Sequence, residues 1–170
     1  VCPEALSCEV DGYDVNVSWT NLDRYTKISI LLDGEQVQDL PGDAEATTLT
    51  DVAVGEHTIA VIASDEGCAC EAIECTVEVK PLFVRGDVNA DGVIDIADPV
   101  KTLLYLFAGS EVPCLDAVDA NDDGSVNVAD AVTMLNAIFG HGPIAPPNQC
   151  GPDPTVEDPD LGCEGYPPCE

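Results

Sequence analysis

GDVNADGVIDIADPVKTLLYLF (86–107) and VDANDDGSVNVADAVTMLNAIF (118–139) repeat one pattern at an offset of 32 residues. Each copy opens with a loop that places oxygen-bearing side chains at positions 1, 3, 5, 9 and 12 and glycine at position 6. In the first loop these are Asp87, Asn89, Asp91, Asp95 and Asp98, with Gly92 at the turn. In the second they are Asp119, Asn121, Asp123, Asn127 and Asp130, with Gly124 at the turn. The backbone carbonyls of Val93 and Ser125 fall at position 7. Residues 96–107 and 128–139 then space apolar side chains at i, i+3, i+4 and i+7, the period of an amphipathic helix. Gly109 and Gly140 supply the stops. Pro99 falls in a first helical turn, where its missing N–H was unpaired anyway.

A hard cation that takes six or more oxygens needs a chain wrapped tightly around it, and the glycine permits the sharp turn. Four carboxylates in the first loop and three in the second repel one another without a counterion, so cation binding is expected to be coupled to folding. The ligand set predicts two Ca2+ ions, held by the twelve residues just named. An EF-hand loop is entered from a helix and ends in Glu, whereas each loop here ends in Asp and the preceding PLFVRG reads as extended. The duplicated loop-helix over 84–140 closely resembles a dockerin module. That resemblance implies two pseudo-symmetric Ca2+ loop-helix units that dock onto cohesin-type domains. It also implies a Ser/Thr pair at loop positions 10 and 11 and basic residues on the helix. This chain carries Ile96 and Ala97, Val128 and Ala129 at the first, and Leu103, Leu104, Leu135 and Asn136 at the second. An apolar face can still bind protein, but it need not bind a cohesin.

Upstream, residues 1–80 alternate as half-buried strands do. Val15, Val17 and Trp19 share one face, Ile28, Ile30 and Leu32 another, and Ile59, Val61 and Ala63 a third. Asp33-Gly34 supplies a hairpin turn between ILL and EQVQ. Strands at this spacing without a helical period predict an antiparallel β-sandwich. The order VNVSWTN, YTKISILLDGEQV, TTLTDVAVGEHTIAVIAS resembles a fibronectin type III or related immunoglobulin-like domain, in which Trp19 would be the core tryptophan. Such a domain implies binding or spacing, not catalysis.

The fold class expected is therefore multi-domain: an all-β sandwich over 1–80, a small α dockerin-like module over 84–142, and a Pro/Gly/Cys tail over 143–170. Pro81 marks the change of period. The tail is too rich in Pro and Gly for a regular helix or central strand, yet Cys150, Cys163 and Cys169 imply that it is pinned. Nine cysteines without zinc spacing read as disulfides in an oxidising compartment. The four C-terminal ones can pair internally, for example Cys114 with Cys150. With an odd number, one is free or bonds another chain.

The 33 acidic residues against five basic ones, a formal charge of -28, argue against nucleic-acid and anionic-membrane partners. No stretch approaches the roughly 18 apolar residues of a membrane span. The start at Val1 fits a mature secreted product after signal-peptide removal, and equally a trimmed chain. His57 and His141 are isolated, the serines lack a GxSxG turn, and no aromatic-walled cleft frames a glycosidase-like carboxylate pair, so no enzyme is expected. Asn16-Val17-Ser18 fits a glycosylation sequon, a pattern common by chance. Two functions remain: a secreted, bacterial-looking structural protein that binds calcium and associates with copies of itself, and a docking adaptor for a cohesin-type partner. The first is preferred because the recognition positions are apolar and no catalytic domain accompanies the module.

Overall fold

The computed structural model describes residues 1–66, 68–155, 161–163 and 165–169, so part of the expected tail (156–160, 164 and 170) lies outside the described residues. The chain divides into two compact units, Val1–Lys80 and Pro81–Glu170.

The first unit is a β-sandwich. Strands β1 (Glu4–Asp11), β2 (Asp14–Thr20) and β5 (Ala46–Leu49) form one antiparallel sheet in the order β1-β2-β5. The second sheet joins β4 (Glu35–Pro41), β3 (Lys27–Leu32), β6 (Gly55–Asp65) and β7 (Cys68–Ala69) in that order, with β8 (Ile73–Val79) also pairing β6. Alternation decides which face is buried. Val15, Val17 and Trp19 from the first sheet meet Ile28, Ile30, Ile59, Val61 and Val79 from the second in one core. The residues between the first three, Asn16 and Ser18, are exposed. Asp33 (φ 53°) and Gly34 (φ 84°) both adopt positive φ, the conformation that a two-residue type I′ hairpin demands. Disulfides Cys2–Cys70 and Cys8–Cys75 tie the first strand region to the last, across 68 and 67 residues.

His57 on β6 is not isolated. Its Nδ1 lies 2.7 Å from Asp33 Oδ2 and its Nε2 2.8 Å from the Ala53 carbonyl. With an acceptor at each ring nitrogen, the imidazolium is the favoured form. The Asp33 hydrogen bond, then the Ala53 carbonyl, raise the His57 pKa above its ordinary value, while the same bond holds Asp33 low. A raised folded pKa stabilises fully below about pH 6.5, and the gain is lost as pH rises through the elevated value. The Asp33 contribution is present above about pH 3.9 and is lost as pH falls through its lowered value. The sandwich should therefore be more resistant to urea near pH 6 than near pH 9, read by Trp19 fluorescence. His57→Gln should shrink that difference; an unchanged difference would remove the pair from the account.

The second unit has little apolar core. One cluster comprises Phe83, Cys114, Ala117 and Tyr166, and another Val88, Val118, Ala120 and Met134. Helix α1 (Ala97–Ala108) packs on α3 (Val128–Gly140), with the short α2 (Leu115–Val118), unforeseen in the sequence, before the second loop. Helix α1 ends at Gly109 (φ 68°), as expected. The other stop is displaced: Gly140 is still helical, and His141 (φ 59°) takes the left-handed cap, its N–H and that of Gly142 both donating to the Asn136 carbonyl.

The segment after Gly142 is woven through this unit. Ala145 N donates to the Ala120 carbonyl, Arg85 N to Pro147, and Phe83 pairs with Gly151. Leu115 N donates to Gly162, which sets Cys114 beside Cys163. The disulfides are consequently Cys114–Cys163 and Cys150–Cys169, correcting the Cys114–Cys150 example. The reason is register: the segment passes Phe83 first and reaches Cys114 only on its return. Cys68, exposed on β7, is the free cysteine. Four disulfides place the protein in an oxidising environment, and among the described residues no helix is long and apolar enough to cross a membrane.

Candidate metal centre

Each loop is built around its first and last carboxylates. Asp87, Asp98, Asp119 and Asp130 are all buried, although aspartate is seldom buried without a partner. Asp87 Oδ1 accepts from Asp91 N (3.2 Å) and Oδ2 from Gly92 N (2.9 Å). Asp119 repeats this with Asp123 N (3.2 Å) and Gly124 N (2.8 Å). The glycine explains itself here, because Gly92 (φ 86°) and Gly124 (φ 74°) must turn back to present those N–H groups. Asp98 accepts from Val88 N, Asn89 N and Asp95 N, and Asp130 from Asn121 N and Asn127 N. The last carboxylate thus closes the loop onto the first turn of its helix. In the second repeat Asn127 and Asp130 form a capping box.

The remaining candidates lie nearer the surface. Asn89 Nδ2 donates to Asp91 Oδ2, and Asn121 Nδ2 to Asp123 Oδ2, both at 2.8 Å. Val93 is placed by its N–H on Asp91 Oδ1 (2.9 Å), and the Ser125 carbonyl accepts from Asn127 Nδ2 (2.9 Å). Asp95 and Asn127 turn toward the helix starts, accepting from Ala97 N and Ala129 N. The structure therefore brings positions 1 and 12 together inside each loop and pairs positions 3 and 5 at its rim, while position 9 bonds the start of the helix, as the N-cap of α3 in Asn127 and one residue ahead of the N-cap of α1 in Asp95. Among the described residues no three His, Cys, Asp or Glu side chains converge closely enough to hold a metal by themselves. A cation here would draw equally on asparagine amides and backbone carbonyls.

The donor set suits a hard cation. Burial raises the pKa of Asp98, with the Asp87 carboxylate adding to it. Burial raises Asp130 likewise, with Asp119 facing it. Two buried carboxylates turned toward each other oppose double ionisation, and an all-oxygen divalent ion offsets that repulsion.

Two further residues belong to the setting, and the loop spacing does not point to them. Arg85, 1 % exposed, donates to four oxygens and ion-pairs with a fifth. Nε donates to the Pro146 carbonyl (2.7 Å), Nη1 to the carbonyls of Asp116 (3.0 Å) and Asp119 (2.7 Å), and Nη2 to Asp153 Oδ2 (2.8 Å). Nη2 also lies 2.7 Å from Asp122 Oδ1, as an ion pair without a well-directed hydrogen bond. Tyr166, also 1 % exposed, donates its hydroxyl to Asp87 Oδ2. Burial and then Asp87 raise its pKa, keeping the phenol protonated. The available signals were a lone arginine beside an acidic loop and a tyrosine between two cysteines of the tail.

No protein-family model and no curated protein matches the chain. Among solved structures, it is similar to the spore cortex lytic enzyme of Clostridium perfringens at 18% identity and TM-score 0.41, over 45% of this chain and 27% of that one. It is similar to the fn3 domain of human collagen alpha-1(XX) at 22% identity and TM-score 0.42, over 46% and 84% of the two chains. The fibronectin(III)-like modules of Clostridium thermocellum give 21%, TM-score 0.37, and 41% and 79%. The chain thus spans about a quarter of the enzyme that it matches.

Proposed function

We propose that this is a secreted, non-catalytic, calcium-binding structural protein, in which a fibronectin type III-like sandwich accompanies a dockerin-like module and copies of the chain associate through the module's helices. Asp87, Asn89, Asp91, Val93, Asp95 and Asp98 would hold one Ca2+, and Asp119, Asn121, Asp123, Ser125, Asn127 and Asp130 the other. The ion supplies charge compensation and loop closure, not a chemical step.

One observation carries the association. Helices α1 and α3, whose first turns are held by the two acidic loops, leave large apolar side chains in solvent, in a continuous i, i+4, i+7 row on α1 and in one interrupted by Asn136 on α3. On α1 the row runs through Val100 (49 %), Leu104 (46 %) and Phe107 (74 %), and on α3 through Val132 (49 %) and Phe139 (70 %). Contiguous exposed apolar surface marks an interaction site. Phe107 and Phe139 are equivalent under the 32-residue repeat. In so acidic a chain, calcium would also lower the repulsion between approaching copies.

Light scattering of the purified chain from excess chelator to millimolar Ca2+ tests this. Particles larger than a monomer should appear or persist with calcium and dissolve without it. The double variant Phe107→Ser, Phe139→Ser should bind calcium normally and stay monomeric. A calcium-loaded monomer in the unaltered chain would instead favour an adaptor docking onto a cohesin-type partner.

A further inference from the structure

We propose that Tyr166 is a positioning residue for the first cation loop, carried there by the disulfide-closed C-terminal segment, so that the affinity of one loop and not the other depends on the tail. The inference rests on reading the loops as calcium sites and concerns how one of them is tuned.

The two loops match in the backbone hydrogen bonds to their position-1 carboxylates but differ in what reaches those carboxylates from outside. At position 1, Asp87 and Asp119 each receive the amides of positions 5 and 6 of their own loop. Asp87 receives the Tyr166 hydroxyl as well. Three donors on a carboxylate with about four lone-pair directions leave one direction for a cation and remove the freedom to rotate away from it. The tail also sends a hydroxyl to the second loop, Thr155 Oγ1 to Asp122 Oδ2 at 2.5 Å, but Asp122 stands at position 4, outside the ligand set. Among the described residues of the tail, only at Asp87 does a side-chain contact fall on a proposed ligand side chain, the place where outer-shell hydrogen bonds tune metal affinity.

The tyrosine is held by covalent and packing constraints. Its ring packs in the cluster of Phe83, Cys114 and Ala117. Cys163, bonded to Cys114, lies three residues before it. The 3-10 turn Pro167–Cys169 follows at once, and Cys169 is bonded to Cys150. The hydroxyl is therefore delivered in a fixed place.

The test is a Ca2+ titration of the full oxidised chain followed by amide NMR. Gly92 and Gly124 each bond the position-1 carboxylate of their own loop, so they report the two loops separately. Tyr166→Phe keeps the ring and removes the hydroxyl. It should weaken the transition seen at Gly92 by about 10- to 100-fold and leave that at Gly124 in place. Helical circular dichroism at saturating Ca2+ checks the fold. Should that variant not fold, the double variant Cys150→Ser, Cys169→Ser, which keeps Tyr166 but frees its anchor, carries the test and should show the same selectivity. An unchanged Gly92 transition, or equal weakening at both glycines, overturns the proposal. If neither glycine responds to Ca2+ in the unaltered chain, the calcium reading itself falls and this inference with it.

Discussion

Removing calcium from the purified chain should abolish most of its helical far-ultraviolet signal while leaving the fluorescence of Trp19 unchanged. The helices lie in the unit 81–170, and the single tryptophan is buried in the sandwich, so the two signals report different units. The apolar clusters of the second unit are small, and five aspartates are buried in it, four of them the first and last residues of the two loops. At a hundredfold excess over Kd each ion would contribute about 2.7 kcal/mol, roughly 5 for two, which is comparable with the whole stability of a small domain. Asp130→Ala should reproduce the loss for its own repeat, since it removes both a proposed ligand and the capping-box partner of α3. Asp87→Ala and Asp119→Ala should do the same for theirs. Full helicity in excess chelator, together with no heat on adding Ca2+, would refute the ligand assignment.

The second large effect should come from Arg85. Arg85→Met should lower the stability of the unit 81–170 by about 3 kcal/mol at saturating Ca2+, the low end for a buried pair, because it strips the partner from carboxylates that are 11 % and 19 % exposed. Asp122 and Asp153 would lose their counter-charge, and the carbonyls of Pro146, Asp116 and Asp119 a donor. Arg85→Lys should recover little, since an ammonium cannot span five oxygens in fixed directions. Denaturation followed by helical ellipticity measures the loss, and Trp19 should be unaffected. A loss below about 1 kcal/mol would mean that the pair behaves like an exposed one.

How much of this was legible depends on whether the information is local. The sandwich was readable because alternation is a property of neighbouring residues: Val15, Val17 and Trp19 face inward for the same reason that Asn16 and Ser18 face out. The turn of each loop was readable because its first carboxylate and the glycine that bonds it lie within six consecutive residues. Positions 9 carry a second role that the loop spacing does not single out, since an Asp or Asn just before a helix can also bond the first helical N–H groups. The setting was not readable. Arg85 meets oxygens 31 to 68 residues away, and Tyr166 meets Asp87 across 79. A Pro/Gly composition says that a segment forms no helix, but it is silent on whether the segment packs. His57 was missed in the same way, its partner Asp33 lying 24 residues upstream across the sheet.

The long reach of Tyr166 and Asp153 fixes an order of events during synthesis. Every strand of the sandwich, with both of its disulfides, has been translated by Val79, so that unit can close while the rest of the chain is still being made. The second unit has no such head start. Phe83, Arg85 and Asp87, among its earliest residues, wait for Gly151, Asp153 and Tyr166. Until those leave the ribosome, the guanidinium and the first loop's aspartates remain solvated. One unit can form as the chain emerges, whereas the other must assemble afterwards.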